Sequence, residues 1–402
     1  MKEYIKLLKE EKVLRQLSTI QLISYFGAWF SNVAIYTLLI ELHVSASVVG
    51  FVAMLNFFAG VLQAPYSGPV IDRMNPKKLM LLLITVEIVA TVSLIFVTEV
   101  SDLLLLYVLI FFKMAAASFY FTTEMSLLPK ILHGSKLQRA NELHSIIWSF
   151  SYTLGMAVSG FVVYWFGIKT AFLLDGLMFF IAFWLLFYTE IKIEILKIEE
   201  NIFRMMQETF VYLKRTPKAL HLMIIHSFVG LTAFDALVAL MVDEYYASFI
   251  AASLALGLLH SARAVGLVIG PVYIGKWINN TRLVYVFIAQ GTAVWIWAFL
   301  MHNFYLSLAA SVLVGFFTTT LWSYSYTLLQ KNIEKKYYGR IVAYNDMLFL
   351  SSAAFTSYMI GFLAAHSFSL EAITAIIGSG FFVGAIYYKY VLKSQKIKEI
   401  SL

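Results

Sequence analysis

The sequence contains no cysteine, six prolines and few charges, with Asp, Glu, Lys and Arg making up 13% of 402 residues. Each shortage excludes something. Without cysteine there is no disulfide scaffold, no thiol nucleophile and no cysteine-held zinc or iron–sulfur cluster. Six prolines and 21 glycines exclude a collagen-like fibre and Pro/Gly-rich disorder. A soluble domain carries roughly 25% charged residues, about twice the share found here. What is present instead is apolar: 61% hydrophobic residues, 16% aromatic, and a mean hydropathy of +0.80. No water-soluble domain of this length hides so much apolar surface, so the chain is expected to be a polytopic membrane protein.

A helix needs about 20 mainly apolar residues to cross about 30 Å of hydrocarbon. Twelve segments meet that need, at 14–41, 46–68, 77–98, 103–126, 138–166, 169–189, 218–241, 252–277, 282–302, 304–329, 341–364 and 370–391. Barrel strands are shorter, about 10 residues, and alternate apolar with polar, so the spans are expected to be helices. Met1 to Arg15 is charged throughout and runs directly into the first span, so no cleavable leader is expected.

The charges orient the chain. Of the 30 Lys and Arg, all but Lys113, Arg263 and Lys169 fall at the N-terminus, at the C-terminus, or in the loops after spans 2, 4, 6, 8 and 10. The opposite loops carry Glu41, Glu99, Asp102, Asp243, Glu244 and Glu371. Positive loops face the cytoplasm, so both termini are expected there, as an even span count also requires. The net charge of +7 thus reflects topology and contact with anionic lipid, not nucleic acid.

The longest loop, 190–217, divides six spans (1–189) from six more (218–402). Within it, Asn201 to Arg215 places apolar residues at helical spacing with a basic remainder, which reads as an amphipathic helix at the membrane surface. Internal repetition supports the division. Leu127, Leu128, Lys130 and Arg139 recur 201 residues later as Leu328, Leu329, Lys331 and Arg340, each set after the fourth span of its half. Gly68-Pro69-Val70 recurs 202 residues later as Gly270-Pro271-Val272. Parallel six-helix repeats describe one large transporter architecture, with substrate bound near the midplane.

The loop after span 2 reads Gly68-Pro-Val-Ile-Asp72-Arg73-Met-Asn75-Pro76-Lys77-Lys78. It is similar to the signature loop of the major facilitator superfamily, with Asn75 where Gly is usual, Asn being the next-best residue for a left-handed backbone. More narrowly, the chain resembles the exporter branch that includes the enterobactin exporter and the macrolide efflux proteins. That likeness rests on Leu127-Leu-Pro-Lys130 with Arg139-Ala-Asn141-Glu-Leu143, on Leu173-Leu-Asp175, on Gly257 to Gly266 with Gly270-Pro271, and on Leu328-Leu-Gln330 with Gly339-Arg340. Two departures concern antiport. Where relatives carry Gly-Pro-x-x-Gly-Gly in span 5, this chain has Gly155-Met156-Ala-Val-Ser159-Gly160, and Lys113 stands where drug exporters often carry Arg. The resemblance implies an all-helical fold of two pseudo-symmetric six-helix halves, no cofactor, and a monomer in the bacterial cytoplasmic membrane. It also gives Asp72 and Arg73 a gating role, in a loop region with Gly68, Lys77, Lys78, Glu124, Arg340 and Asp346. Glu124 is expected to pair with Arg73, and Asp346 to sit at the favourable end of a helix dipole.

Ionisable groups at membrane depth cost ~3 kcal/mol or more and each needs a reason. Glu87 and Lys113 lie near the middle of spans 3 and 4; Asp175 is about two turns into span 6; Asp235 faces His260 and Arg263 in height. One reading makes Glu87, Asp175 or Asp235 a proton carrier, held ionised by Lys113 or Arg263 until substrate or conformation breaks the pair. The other makes Glu87–Lys113 and Asp235–Arg263 permanent pairs that hold helices in register. His226 and His260 read as packing residues, and no cluster suggests a metal. Tyr25, Phe26, Trp29, Asn32, Phe119, Tyr120, Trp148, Trp322 and Tyr326 are candidates for lining a substrate cavity.

No Walker-type loop is present, which excludes an ATP-driven pump, and no nucleophile–base pattern suggests an enzyme. The favoured expectation is a secondary active exporter of small amphipathic molecules working by alternating access and proton antiport, with substrate, protons and lipid as its partners. An importer or lipid flippase on the same fold competes with it, as does a non-transporting receptor or scaffold.

Overall fold

The computed structural model describes residues 2–191, 202–334, 337–395 and 397, without the side chains at 2, 3, 68, 69, 72, 135 and 202–206. Among these residues every regular element is helical. In hydrocarbon each backbone N–H and C=O needs an internal partner, and a helix supplies it within one segment. Twelve helical segments are long and apolar enough to cross a membrane, one for each span expected from the sequence.

Helix α1 is Lys2–Glu10, and α2 (Lys12–Glu41) is the first span. Then come α3 (Ala46–Arg73), α4 (Pro76–Ser93), α5 (Leu103–Ile131), α6 (Gly134–Phe166) and α7 (Ile168–Tyr188). The amphipathic α8 (Ile202–Arg215) precedes a seventh span that is not continuous. It runs as α9 (Pro217–Ser227), a 3-10 segment (Phe228–Thr232), α10 (Asp235–Met241) and a π turn (Val242–Tyr246). The chain closes with α11 (Ala252–Ile274), α12 (Leu283–Leu300), α13 (Phe304–Asn332), α14 (Tyr338–Ala365) and α15 (Leu370–Ser394).

Local chemistry explains several ends. Asn75 caps α4: its backbone is extended (φ −66, ψ 120), its side chain accepts from Lys78 N, and Pro76 follows at the first helical position. Asn75 is therefore a helix cap and not the left-handed residue expected from the sequence. Gly167, at φ 84, is at once the last cap of α6 and the first of α7. A side chain there would be strained, and the two spans turn within one residue.

Two compact units emerge. One contains residues 1–43, 66–198 and 251–261; the other contains 44–65, 199–250 and 262–402. Their membership follows chain order except at α3 up to Pro65 and α11 up to Ser261. The first unit has a core of Leu17, Ile20, Met80, Ile84, Tyr120, Leu127 and Phe179 drawn from α2, α4, α5 and α7. A smaller cluster seats α1: Leu7 packs with Leu14, Leu128, Leu132 and Ala140, while Lys136 pairs with Glu11 at 2.6 Å and Tyr4 donates to Glu142 at 2.8 Å. Small residues permit close crossings here. A Cβ on Gly160 would meet Ser253 O at 2.7 Å, and one on Gly257 would meet Met156 O at 2.7 Å. Gly160 thus keeps its packing role although the Pro usual in this stretch is missing.

In the second unit the break in the seventh span lies against α14. A Cβ on Gly230 would stand 2.7 Å from Ala353 N and Ser352 Cβ. Arg263 Nη2 donates to the Thr232 carbonyl at 2.8 Å, at the end of the 3-10 segment, and its guanidinium lies over the Phe234 ring at 5.0 Å. A carbonyl at the end of that segment thereby gains a charged donor. Asp235, the first residue of α10, sits where a helix dipole favours a carboxylate.

Candidate functional site

The first unit encloses a cavity of about 130 Å³ between α2, α4, α5, α6 and α7. Half its wall is aromatic: Tyr25, Trp29, Tyr120, Trp148 and Phe179, with Ser24, Ala28, Ile84 and Ala117. Glu87 is the one ionisable acid or base other than tyrosine in that wall. The rings brace one another. Trp148 stacks on Tyr152 at 5.4 Å, Trp29 meets Tyr152 edge-on at 4.7 Å, and Tyr152 OH lies 3.4 Å from His260 Nδ1. Gly155 makes room for this, since a Cβ there would sit 2.7 Å from Trp29 Cδ1. Among the described residues, the buried Trp29 Nε1 and Tyr120 hydroxyl have no hydrogen-bond partner, and so are free to serve a ligand.

The buried charges are arranged differently from the expectation. Lys113 Nζ lies 2.7 Å from Asp175 Oδ2, not on Glu87. Lys113 and Asp175 are both buried, Asp175 completely. Ser31 Oγ also donates to Asp175 Oδ2. Gly27 lets α2 come this close, for a Cβ there would be 2.9 Å from Asp175 Oδ1. The complete burial of Asp175 comes from α7 packing along α2. Glu87 is buried in α4 within electrostatic range of both Lys113 and Asp175, and forms no ion pair or hydrogen bond among the described residues. Two carboxylates therefore face one ammonium. With all three ionised, the site holds one uncompensated negative charge in an apolar wall, which a single proton neutralises.

Other expected residues fall elsewhere. Asn32 and Phe119 do not line this cavity, and Asn32 Oδ1 is buried without a hydrogen-bond partner among the described residues. Trp322 and Tyr326 belong to the second unit, stacked at 5.2 Å around His226, which also touches Phe349 and bonds Ser325 Oγ at 2.8 Å through Nδ1. Arg263 engages Thr232 and Phe234, as above.

In the loop region, the side chains of Gly68 and Asp72 lie outside the described residues. Arg73 is exposed and Glu124 is buried, and no ion pair joins them among the described residues. Glu124 points into the helix bundle because its position on α5 shares the face of Tyr120, one turn earlier. Lys77 donates to the Phe187 carbonyl at 2.7 Å, tying α4 to the end of α7, while Lys78 contributes its backbone N–H to the Asn75 cap. Arg340 pairs with Glu208 of α8 at 3.4 Å, beside the stacked rings of Tyr212 and Tyr337. Asp346 lies more than two turns inside α14, beyond reach of the helix dipole assumed for it, and accepts from Asn345 Nδ2 at 3.3 Å. Among the described residues no group of three or more His, Asp or Glu is placed to hold a metal.

The sequence profile of the Major Facilitator Superfamily matches residues 17–245. An uncharacterized MFS-type transporter of Bacillus subtilis (strain 168), YfiS, is 28% identical over 183 residues, 45% of this chain. The chain spans 43% of the length of that curated relative. Among solved structures, a bacterial homolog of the human lysosomal transporter Spinster, in an inward-facing and occupied conformation, superposes with a TM-score of 0.75 at 12% identity, covering 96% of this chain and 97% of that one. The nucleoside transporter NupG superposes with a TM-score of 0.70 at 12% identity, covering 96% and 100%. At such identity the two structures share the fold alone.

Proposed function

The chain belongs to the Major Facilitator Superfamily, and on that premise we propose that it exports small amphipathic molecules in exchange for protons. The observation that carries this reading is Glu87, the single carboxylate in an aromatic-walled cavity, next to a Lys113 already engaged by Asp175. Aromatic faces and aliphatic carbons take up an apolar body, and Glu87 takes up either a proton or a donor group of the substrate. Those two occupants compete for one acceptor, and that competition couples substrate movement to proton movement. Lys113 and Asp175 set the field in which Glu87 exchanges its proton. Asp72 and Arg73 act as a gate on the basic side, which faces the cytoplasm if the positive loops follow the usual orientation.

Everted membrane vesicles containing the protein test this directly. A panel of amphipathic dyes and siderophores is offered with and without an imposed proton gradient. Gradient-driven accumulation by the wild type, lost in Glu87→Gln while that variant still elutes as a folded protein, is the expected result. Accumulation that ignores the gradient, or survives Glu87→Gln unchanged, refutes proton coupling at Glu87. Uptake into right-side-out vesicles alone reverses the assigned direction.

A further inference from the structure

Glu124 takes no part in the reading above, yet it is the second carboxylate buried in the first unit without an ion pair among the described residues. It lies about two turns from the end of α5 that carries Lys130. Tyr120 precedes it by one helical turn on the same face. Tyr25 approaches from α2, and both tyrosines line the cavity that contains Glu87. Each tyrosine hydroxyl lies within electrostatic range of both Glu87 and Glu124. The Tyr120 hydroxyl and Glu124 Oε2 are shielded and have no hydrogen-bond partner among the described residues.

We propose that Glu124 is a second proton-carrying carboxylate, linked to Glu87 through the hydroxyls of Tyr25 and Tyr120. The inference rests on the proton coupling assigned to Glu87 above. Once a tyrosine hydroxyl turns to bridge the two carboxylates, protonated Glu87 gives its proton to the hydroxyl oxygen as that hydroxyl passes its own proton to a carboxylate oxygen of Glu124. The tyrosine ends neutral, Glu87 ends ionised near Lys113, and Glu124 ends protonated. The proton then leaves towards the basic side of the membrane. The groups facing this path are Lys113 of α5, Asp175 of α7, Gln21 of α2 and His144 of α6. His144 is held by Gln21, Nδ1 to Nε2 at 2.7 Å, and forms no ion pair with Glu124 among the described residues.

The test needs no substrate. The full chain is reconstituted in liposomes, and infrared difference spectra are recorded through the protonated-carboxyl region after a light-triggered acid jump. Wild type is expected to show separate Glu87 and Glu124 bands, one lost in Glu87→Gln and the other in Glu124→Gln. Glu124→Asp, which keeps an acid, is expected to restore a displaced band. With the jump applied on the basic side, Glu124→Gln and the double variant Tyr25→Phe/Tyr120→Phe are expected to slow the Glu87 band about tenfold or more. A Glu124→Gln spectrum identical to wild type overturns the inference, as does a Glu87 band that rises at the wild-type rate in both variants. A spectrum unaltered by Glu87→Gln instead overturns the coupling reading itself, and the relay with it.

Discussion

Removing the ammonium of Lys113 tests the buried pair most sharply. Lys113→Met keeps an unbranched apolar stem in α5 but leaves Asp175, which is 0% exposed, with only the Ser31 hydroxyl for its charge. Breaking a buried ion pair from one side costs about 3–5 kcal/mol, or roughly two to three and a half orders of magnitude in the unfolding equilibrium constant. Removing both charges is often neutral, so Lys113→Met/Asp175→Asn is expected to return to within about 1 kcal/mol of wild type. The Asn amide still accepts from Ser31. With no cysteine in the chain, thiol-reactive stability dyes give no signal, whereas eight tryptophans report unfolding in mixed micelles titrated with dodecyl sulfate. A third variant separates the two pairings. Lys113→Met/Glu87→Gln is expected to stay as unstable as Lys113→Met, because Glu87 is not the group left stranded. Wild-type stability in Lys113→Met, or rescue by Glu87→Gln in place of Asp175→Asn, refutes the assigned partnership.

Further outcomes follow from close contacts and from the loop. Gly266→Ala places a Cβ 2.0 Å from the Val312 carbonyl oxygen, a backbone atom with no freedom to swing away. It is expected to cost about 1–3 kcal/mol in the same titration. Gly339→Ala, which meets nothing within 4 Å, is the matched control, and equal stability of the two variants removes the close-packing explanation. Asp72→Asn is expected to slow turnover in the vesicle assay at unchanged substrate affinity; wild-type turnover rejects the gating role. The Glu87→Gln and Glu124→Gln outcomes described above complete the set.

Hydropathy and span length alone determined the number, position and helical character of the spans. A bilayer leaves the backbone no other partner than itself, so length and apolarity suffice. The repeat at an offset near 201 was legible for the same reason, since equivalent loops keep equivalent residues. Depth is legible too: Glu87, Lys113 and Asp175 each stand well inside an apolar span. Which way each charge points is not. A span that is apolar all round shows no preferred face in its sequence, so equal height suggested Glu87 as the partner of Lys113. Helix packing turned Asp175 of α7 towards Lys113 instead, with Gly27 and Ser31 of α2 making room and supplying a donor. The same limit hid Glu124, whose place near a helix end suggested a surface latch. Its rotation on α5 puts it behind Tyr120, inside the unit. The interrupted seventh span was equally silent, because Phe228 to Thr232 has no proline; Arg263 and the close approach at Gly230 accompany the break, and only the folded chain brings them there.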